Sequence, residues 1–312
     1  MGECAADNRD KLTLITSPPI SHFGAWVEQL VAESTGKEGK GILPVDGEEL
    51  GSPEVYANDR LFVYLKLKGD STHDKKIEAL KKIGHPVAQL DLNDNYDLGG
   101  EFFRWEMATI IAGRRLNINP FDQPNVESAK VLARNMVAAY QKEGKLPELK
   151  PTFEADGIAV FSNLLGQNLE TVVKKFLAQA SAGRSYVSIQ TYVPPTSETD
   201  ALLNSIRLRI RDSLKVATTV GYGPRFLHST GQLHKGDGGQ GLFIQFTSDA
   251  EEDIAIPDKA GEPASAMSFG VLKLAQALGD RQALLDAGRK VIRFHLGKDV
   301  GRGLKQISQM LG

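Results

Sequence analysis

Cysteine is almost absent from this chain of 312 residues, which contains Cys4 alone. A single thiol excludes a framework of internal disulfides and is typical of proteins from a reducing cytoplasm. The chain also lacks any stretch near the ~20 consecutive apolar residues of a membrane span. Its N-terminal segment lacks the apolar core of a signal peptide. These absences exclude a small disulfide-rich secreted domain and predict a cytoplasmic protein with no membrane partner.

The chain also has almost no net charge. The 37 basic and 39 acidic residues leave a formal net charge of −2, so nucleic acid and anionic membranes are not expected partners. Cysteine and histidine residues do not occur at metal-ligand spacing, and we expect no metal. The composition is otherwise that of a globular protein, with 41% apolar and 24% charged residues.

Strand-like and helix-like segments alternate along the chain. Residues 11–17, KLTLITS, are typical of a strand and residues 21–35 of a helix, and the alternation resumes after the proline-containing segment 144–153. Such alternation predicts parallel sheets with helices on both faces. We therefore predict two α/β units, residues 1–148 and 149–312, with ligands beyond the carboxyl ends of the strands.

The first long helix carries a carboxylate on its apolar face. The residues that form this face at helical spacing are Phe23, Trp26, Val27, Leu30 and Val31. Glu33 continues the same face in the last turn, just before Gly36, which is a plausible helix cap. Desolvation and the helix dipole both raise the pKa of a carboxyl group there, which suits a general base. The alternative is a helix-end glutamate that points into solvent.

A second charge on an apolar face follows the segment NPFDQPNVESAK, residues 119–130. Asp122 can cap a helix, and Pro124 is tolerated in a first turn. The apolar stripe of the predicted helix consists of Val126, Ala133 and Val137. Lys130 lies on this stripe, so it either snorkels past the edge of the core or faces a polar cleft. Gln123 lies at the helix N-terminus, where free N–H groups favour anionic ligands.

A glycine-rich segment with a histidine, residues 221–241, follows the strand-like sequence KVATTV. It therefore lies at the carboxyl end of a strand, where His228 has hydroxyl neighbours in Ser229 and Thr230. A single histidine is more often structural than catalytic. Residues 236–241 also spell G-x-G-x-x-G, but this run precedes a strand and does not open a helix. The pattern therefore does not support a nucleotide-dependent dehydrogenase.

Three segments together resemble glucose-6-phosphate isomerases of the bacterial type. FGAWVEQLVAESTGKEGKGILPV is similar to the segment with the family's E-S-x-G-K signature, and NPFDQPNVESAK to its F-D-Q-x-x-V-E-x-x-K signature. FLHSTGQLHKG resembles the L-H-S-x-G-Q segment. The tail is most similar to the isomerase half of fused transaldolase/glucose-6-phosphate isomerases, and the resemblance extends from about residue 11 to residue 296.

This resemblance implies a sugar-isomerase (SIS)-like, doubly wound parallel sheet in the first unit and a second α/β unit after it. It implies the isomerisation of glucose 6-phosphate to fructose 6-phosphate through a cis-enediol, without a metal or an organic cofactor. Glu33 would be the base that moves a proton between C1 and C2, and Lys130 and His228 would act with it as catalytic residues. The expected substrate-binding residues are Gln123, Lys37 and Arg225.

Two features depart from the family pattern. In the ordinary bacterial enzymes the L-H-S segment lies between the glutamate and the lysine, whereas here it follows both. The chain also lacks the family's N-terminal domain, with its Ser/Thr-rich phosphate loop and an arginine that stabilises the enediolate. We therefore expect the C-terminal portion of a longer isomerase, weak or inactive alone, with isomerase and transaldolase domains upstream and self-association into a homo-oligomer. The alternative is a non-catalytic module that binds sugar phosphates.

Overall fold

Helices and strands alternate in the computed structural model, which describes residues 1–147 and 149–311. The α-helices are α1 (Gly2–Ala6), α2 (Phe23–Thr35), α3 (Asp74–Lys82), α4 (Leu98–Leu116), α5 (Val126–Glu143), α6 (Leu169–Leu177), α7 (Ser197–Leu214), α8 (Gly231–Gly236), α9 (Phe269–Asp286) and α10 (Val300–Gln309). The strands are β1 (Lys11–Thr16), β2 (Leu43–Val45), β3 (Arg60–Leu67), β4 (Val87–Leu92), β5 (Phe153–Ala155), β6 (Ile158–Phe161), β7 (Tyr186–Tyr192), β8 (Ala217–Tyr222), β9 (Gly241–Thr247), β10 (Ala255–Ile256), β11 (Met267–Ser268) and β12 (Lys290–His295).

The strands of the described residues form two main sheets and one short antiparallel pair, β10 with β11. The first sheet has the order β2-β1-β3-β4, and all its pairings are parallel. The second has the order β5-β6-β12-β9-β7-β8. Its strands β12, β9, β7 and β8 are parallel, whereas β6 pairs antiparallel with β12 and with β5. The predicted α/β class with parallel sheets is confirmed.

Helices cover both faces of the first sheet because alternate residues of its central strand point in opposite directions. Leu61, Val63 and Leu65 of β3 are buried in a cluster with α2 and with Trp105 of α4. The intervening residues Phe62 and Tyr64 are buried in a second cluster with α3 on the opposite face. Full burial of a large apolar side chain contributes about 1.5–3 kcal/mol, so this alternation fixes which face each helix covers.

The two sheets are joined by buried apolar contacts and by hydrogen bonds from a buried arginine. One apolar cluster includes Ala32 of α2, Val45 of β2 and Phe243 of β9. The buried side chain of Arg207 on α7 adds a polar link, because it donates to the carbonyl oxygens of Asp46 at 3.2 Å and of Thr218 at 2.8 Å. The predicted division into two units stays a prediction, and its boundary at residue 148 lies outside the described residues. None of the helices in the described ranges is long and apolar enough to span a bilayer.

Candidate active site

A cavity of about 260 Å³, the first cavity, lies where α2, α5, α8 and α9 meet. Its wall brings together four predicted site residues from three distant segments of the sequence, namely Glu33, Gln123, Lys130 and His228. Side chains that sequence reasoning did not single out complete the wall, among them Lys235 and Gln276. Within residues 1–147 and 149–311 no group of three or more His, Cys, Asp or Glu residues could hold a metal ion.

The end of α2 positions Glu33. As predicted, the helix ends at Thr35, with Gly36 as the C-cap whose N–H donates to the carbonyl of Ala32 at 3.1 Å. A Cβ atom at Gly36 would lie only 2.2 Å from the Cα atom of Leu233, so glycine is what allows α8 to approach this helix end. Val27 and Val31 are fully buried, and Glu33 on the same side of the helix is half-buried at the cavity.

The electrostatic surroundings of Glu33 agree with the expectation from its position. Burial raises the pKa of its carboxyl group above the ordinary value, and the hydrogen bond from Gln29, the charge of His228, the hydrogen bond from Gln123 and the charge of Lys130 offset part of that rise. The Nε2 atom of Gln123 donates to Oε2 of Glu33 at 3.3 Å. The predicted rise of the pKa is confirmed, and it gives a carboxyl group that can both accept and return a proton.

Lys37 does not line the first cavity, although we expected it to contact substrate. Its side chain is 0% exposed, and Nζ donates to the carbonyl of Asn119 at 2.8 Å, to Oδ1 of Asp122 at 3.0 Å and to the carbonyl of Asp122. All these acceptors belong to the loop before α5 that carries Gln123. The lysine therefore holds this loop against the end of α2.

The same contact explains a wrong prediction about the start of α5. The N-cap residue is Asn125, not Asp122, and the helix begins at Val126. The carboxylate of Asp122 is instead engaged by Lys37 and by Nδ2 of Asn119, at 3.3 Å. A buried cation thus competes successfully with the helix N-terminus for the aspartate.

Gln232 of α8 connects three segments of the site and was missed by the sequence reasoning. This fully buried side chain donates through Nε2 to the carbonyl of Gly36 and to Oδ1 of Asn125, both at 2.8 Å. Its Oε1 accepts from the N–H of Asn125 at 2.9 Å. One amide therefore fixes the end of α2 and the start of α5 relative to α8. Gln232 is the last residue of the L-H-S-x-G-Q segment, and this position could have identified it as a site residue.

Lys130 faces the first cavity from α5. Its side chain is exposed there, beside Ala133, which also lines the wall. A Cβ atom at Gly279 of α9 would lie 2.7 Å from the backbone nitrogen of Ala133, so the two helices pack in close contact. Of the predicted apolar stripe, Ala133 and Val137 are half-buried, and the side chain of Val126 lies outside the described residues. The structure thus places Lys130 at a cleft.

A short 3₁₀ turn after β8, Arg225–His228, brings His228 to the first cavity. Phe226 anchors the turn: it is buried, and its ring centroid lies 5.6 Å from that of Tyr192. His228 is exposed and lines the cavity wall. Arg225 does not line it, and its charge lowers the pKa of Glu28 and Asp46, which also lie outside that wall. The structure therefore does not bring this expected substrate-binding residue to the site.

Lys235 is a buried cation in the wall of the first cavity that sequence reasoning overlooked. Its side chain is 6% exposed, and Nζ donates to Oδ1 of Asp280 at 2.6 Å and to the carbonyl of Gly231 at 3.2 Å. Asp280 on α9 is itself 0% exposed. Since an ammonium group has three N–H donors, these two acceptors leave one for a ligand.

Glu28, a carboxyl group that the sequence did not single out, supports the turn that carries His228. Burial raises its pKa to about 7, and a hydrogen bond from Ser229 offsets part of this effect. The neighbouring charge of Asp46 raises the pKa further, whereas the charges of Arg225 and Arg207 lower it. Glu28 therefore titrates near neutral pH, where about half of it is protonated, and it links α2 to the residue that follows His228.

Part of the chain is similar in sequence to glucose-6-phosphate isomerases. It is 30% identical to that of Clostridium tetani over 178 residues, which cover 44% of this chain and 39% of that protein. It is also 30% identical to that of Bacillus thuringiensis over 175 residues, which cover 44% of this chain and 38% of that protein. The matched part thus spans about two fifths of these relatives. No family model matches the chain.

Similarity to solved structures is weak. The C-terminal domain of glucosamine-fructose-6-phosphate aminotransferase from Francisella tularensis aligns with 99% of this chain and 84% of its own, at 9% identity and a TM-score of 0.28. A hypothetical protein from Thermus thermophilus aligns with 99% of this chain and 78% of its own, at 13% identity and a TM-score of 0.40. TM-scores this low carry no argument, so the α/β assignment rests on the helices and strands themselves.

Proposed function

We propose that the first cavity is part of the active site of an aldose–ketose isomerase that interconverts glucose 6-phosphate and fructose 6-phosphate. The observation that carries the proposal is a half-buried carboxyl group with a raised pKa, Glu33, in one cavity with Lys130 and His228. The partial similarity to bacterial glucose-6-phosphate isomerases supports a sugar phosphate as the substrate.

Opening of the sugar ring is the first step of this reaction. It needs a proton donor at the ring oxygen and an acceptor for the proton of the C1 hydroxyl. His228 and Lys130 both line the cavity and share these two roles in our proposal. Imidazole suits such a task because its ordinary pKa lies near neutral pH, and the lysine ammonium group supplies N–H donors.

Proton transfer between C2 and C1 follows. The carboxylate of Glu33 takes the proton from C2, and the electron pair of the broken C–H bond forms the double bond of a cis-enediolate. The C2 hydroxyl then passes its proton to the oxygen on C1. The same carboxyl group returns the first proton to C1, where the electron pair of the double bond forms the new C–H bond, while the oxygen on C2 becomes the carbonyl of the ketose. A raised pKa suits this double role, because the group acts first as a base and then as an acid.

Negative charge develops on the enediolate oxygens, and fixed donors next to them stabilise it. Lys235 suits this role because Asp280 and Gly231 hold its ammonium group in place before substrate arrives. In our proposal Lys235 supplies part of the stabilisation of the enediolate. In the family that the chain resembles, an arginine of the N-terminal domain has this role. The phosphate group would be bound by that upstream isomerase domain in a longer enzyme, so the chain alone would turn over slowly.

Exchange of the C2 proton of glucose 6-phosphate for deuterium in D₂O, followed by NMR, tests the proposal. We expect slow exchange with the wild-type chain and a roughly 100- to 10,000-fold slower rate with Glu33→Gln, which removes the base. Glu106→Gln is the matched control, because Glu106 is exposed on α4 and does not line the cavity.

Normal exchange with Glu33→Gln would disprove the role of Glu33 as the base. Binding of glucose 6-phosphate without exchange would favour the alternative function, a non-catalytic module that binds sugar phosphates. A coupled isomerase assay with and without the proposed upstream domain then measures how much of the turnover depends on that domain.

A further inference from the structure

The outward face of α4 is apolar. The buried residues on its inward face are Trp105, Thr109 and Ala112. A surface helix normally presents polar residues on the side opposite its buried face. On α4 that side instead carries Phe103, Met107 and Ile111, whose exposed fractions are 67%, 41% and 62%. These residues recur every four positions, so they lie one above the other on the surface of the helix.

The same surface continues beyond the start of α4. Tyr96 lies in the 3₁₀ turn Asn95–Asp97 that runs directly into the helix, is 92% exposed, and precedes Phe103 by about two helical turns. We call Tyr96, Phe103, Met107 and Ile111 the α4 stripe. A large side chain has about 150–250 Å² of surface, so these four residues together expose roughly 500 Å².

The exposed area of the α4 stripe matches the apolar part of one side of a homodimer interface. The largest apolar patch on a typical monomer covers about 300–600 Å² and often has a function. A standard interface buries about 800 Å² per partner, and about 65% of a homodimer interface is apolar, which corresponds to about 520 Å² per partner. The stripe therefore provides enough apolar surface for a stable contact between two copies of the chain.

The charges at the two ends of the α4 stripe have opposite signs. Asp94 and Asp97 lie at its N-terminal end, and Arg114 and Arg115 lie in the last turn of α4. Arg115 is bound to Glu3 at 2.8 Å, whereas Arg114 is exposed and makes no ion pair within the described residues. In an antiparallel pair of α4 helices each acidic end meets a basic end, and the helix dipoles also oppose each other. A parallel pair would bring like charges together.

We propose that the α4 stripe is the interface of a homodimer in which two α4 helices pack antiparallel about a two-fold axis. Phe103 packs beside Met107 and Ile111 of the partner subunit. Arg114 lies on the same side of α4 as Met107, two turns further on, and meets the acidic end of the partner's stripe. Such an interface is self-complementary and closes with two copies. No residue of the stripe lines the first cavity, so the proposal does not depend on the isomerase activity.

Analytical ultracentrifugation of the 312-residue chain at micromolar concentrations tests the proposal. We expect a dimer for the wild type, and we expect Phe103→Glu and Ile111→Glu each to weaken dimerisation roughly 100-fold or more, because each change buries two carboxylates in an apolar interface. Leu165→Glu is the matched control, since Leu165 is 74% exposed in a loop far along the chain from α4 and should leave the dimer intact. Circular dichroism verifies that each variant is folded.

Cysteine cross-linking tests the antiparallel orientation, in a chain that carries Cys4→Ala. A cysteine fits at Gly100, where a Cβ atom would have no neighbour within 4 Å. Antiparallel packing brings position 100 close to position 111 of the partner subunit. A mixture of Gly100→Cys and Ile111→Cys should therefore form a mixed disulfide under oxidation, whereas Gly100→Cys alone should not cross-link, because its two copies lie too far apart for a disulfide.

A wild-type chain that stays monomeric would overturn the proposal and leave the α4 stripe to a different partner. A dimer that persists in both Phe103→Glu and Ile111→Glu would place the interface elsewhere and would overturn it as well. Efficient cross-linking of Gly100→Cys with itself, without a mixed disulfide, would contradict the antiparallel arrangement.

Discussion

Two cavities lie along helices α5 and α9, and their walls differ in chemistry. The first is the candidate active site, and the second, of about 370 Å³, lies at the carboxyl ends of β7, β9 and β12. The wall of the first contains ionisable groups that already have partners, such as Lys235 with Asp280 and Glu33 with Gln123. Beside the second, the residues Tyr192 and Ser248 have buried hydroxyl groups that make no hydrogen bond within the described part of the chain. The first cavity is thus organised by ion pairs and hydrogen bonds within the protein, whereas these two hydroxyls add no hydrogen bond beside the second. Substitutions should therefore affect the stability of the protein in opposite ways.

The largest effect is expected at Lys235. Lys235→Met leaves Asp280 buried without its cation, and removal of one partner of a buried ion pair costs about 3–5 kcal/mol of the free energy of unfolding. The double variant Lys235→Met/Asp280→Asn removes the charge as well and should recover most of that loss. Urea denaturation of the single and double variants measures both values. Equal stability of wild type and Lys235→Met would show that the buried pair does not organise the first cavity.

A smaller effect, with a pH dependence, is expected at Glu28. Its pKa in the folded protein, about 7, exceeds the ordinary value of 4.5, so its protonated form stabilises the fold. This stabilisation is complete below pH 4.5 and is lost as the pH rises through 7, by at most about 3 kcal/mol. Glu28→Gln should therefore lose less stability than wild type between pH 5 and pH 8.

Denaturation of both proteins at the two pH values measures the difference. Glu106→Gln, a charge removal at an exposed position of α4, should keep the pH dependence of wild type. Parallel pH profiles of wild type and Glu28→Gln would contradict a raised pKa at Glu28.

The smallest effect is expected in the second cavity. Tyr192→Phe removes a buried hydroxyl that has no partner, so the free energy of unfolding should stay the same or rise by about 1 kcal/mol. Tyr186→Phe, at the other end of β7, removes a hydroxyl that donates to Oδ2 of Asp237 at 2.7 Å and should lower stability by about 1–2 kcal/mol. Thermal denaturation without ligand compares the two. A larger loss in Tyr192→Phe would mean that this hydroxyl is satisfied within the protein.

Local periodicity was enough to predict one side of the first cavity. The spacing of apolar residues in α2 predicted the helix, which depends on neighbours within two turns. It also predicted the direction of the pKa shift of Glu33, because burial is the largest cause of that shift. The other side depends on contacts that periodicity cannot reveal. Gln232 bonds to Gly36 and Asn125, which lie 196 and 107 positions away. Its helix α8 spans only six residues, too few for an apolar pattern to identify a buried face.

The wrong predictions for Asp122 and Arg225 also arise because their neighbours in the folded chain cannot be read from local sequence. The sequence pattern of Asp122 is that of a helix cap, but a buried lysine 85 positions earlier takes its carboxylate. Arg225 is close to His228 in sequence, yet the turn between them directs the two side chains to different neighbours. Ligands were expected beyond the carboxyl ends of the strands, but the residues of the second cavity were not predicted, because the order β12-β9-β7 in the sheet brings them together. Strand order is a property of the folded chain that alternation of segments leaves open.

Chemical modification of Lys37 can be used to measure how often the loop that carries Gln123 separates from α2. Because its amine is completely buried against the loop that carries Gln123, reagents that modify lysines can reach it only when that loop separates from α2. Lys40, three residues later, is exposed and provides an internal reference within the same peptide. The ratio of labelling at the two lysines, measured by mass spectrometry, would report how often one wall of the first cavity detaches, and whether a sugar phosphate keeps it closed.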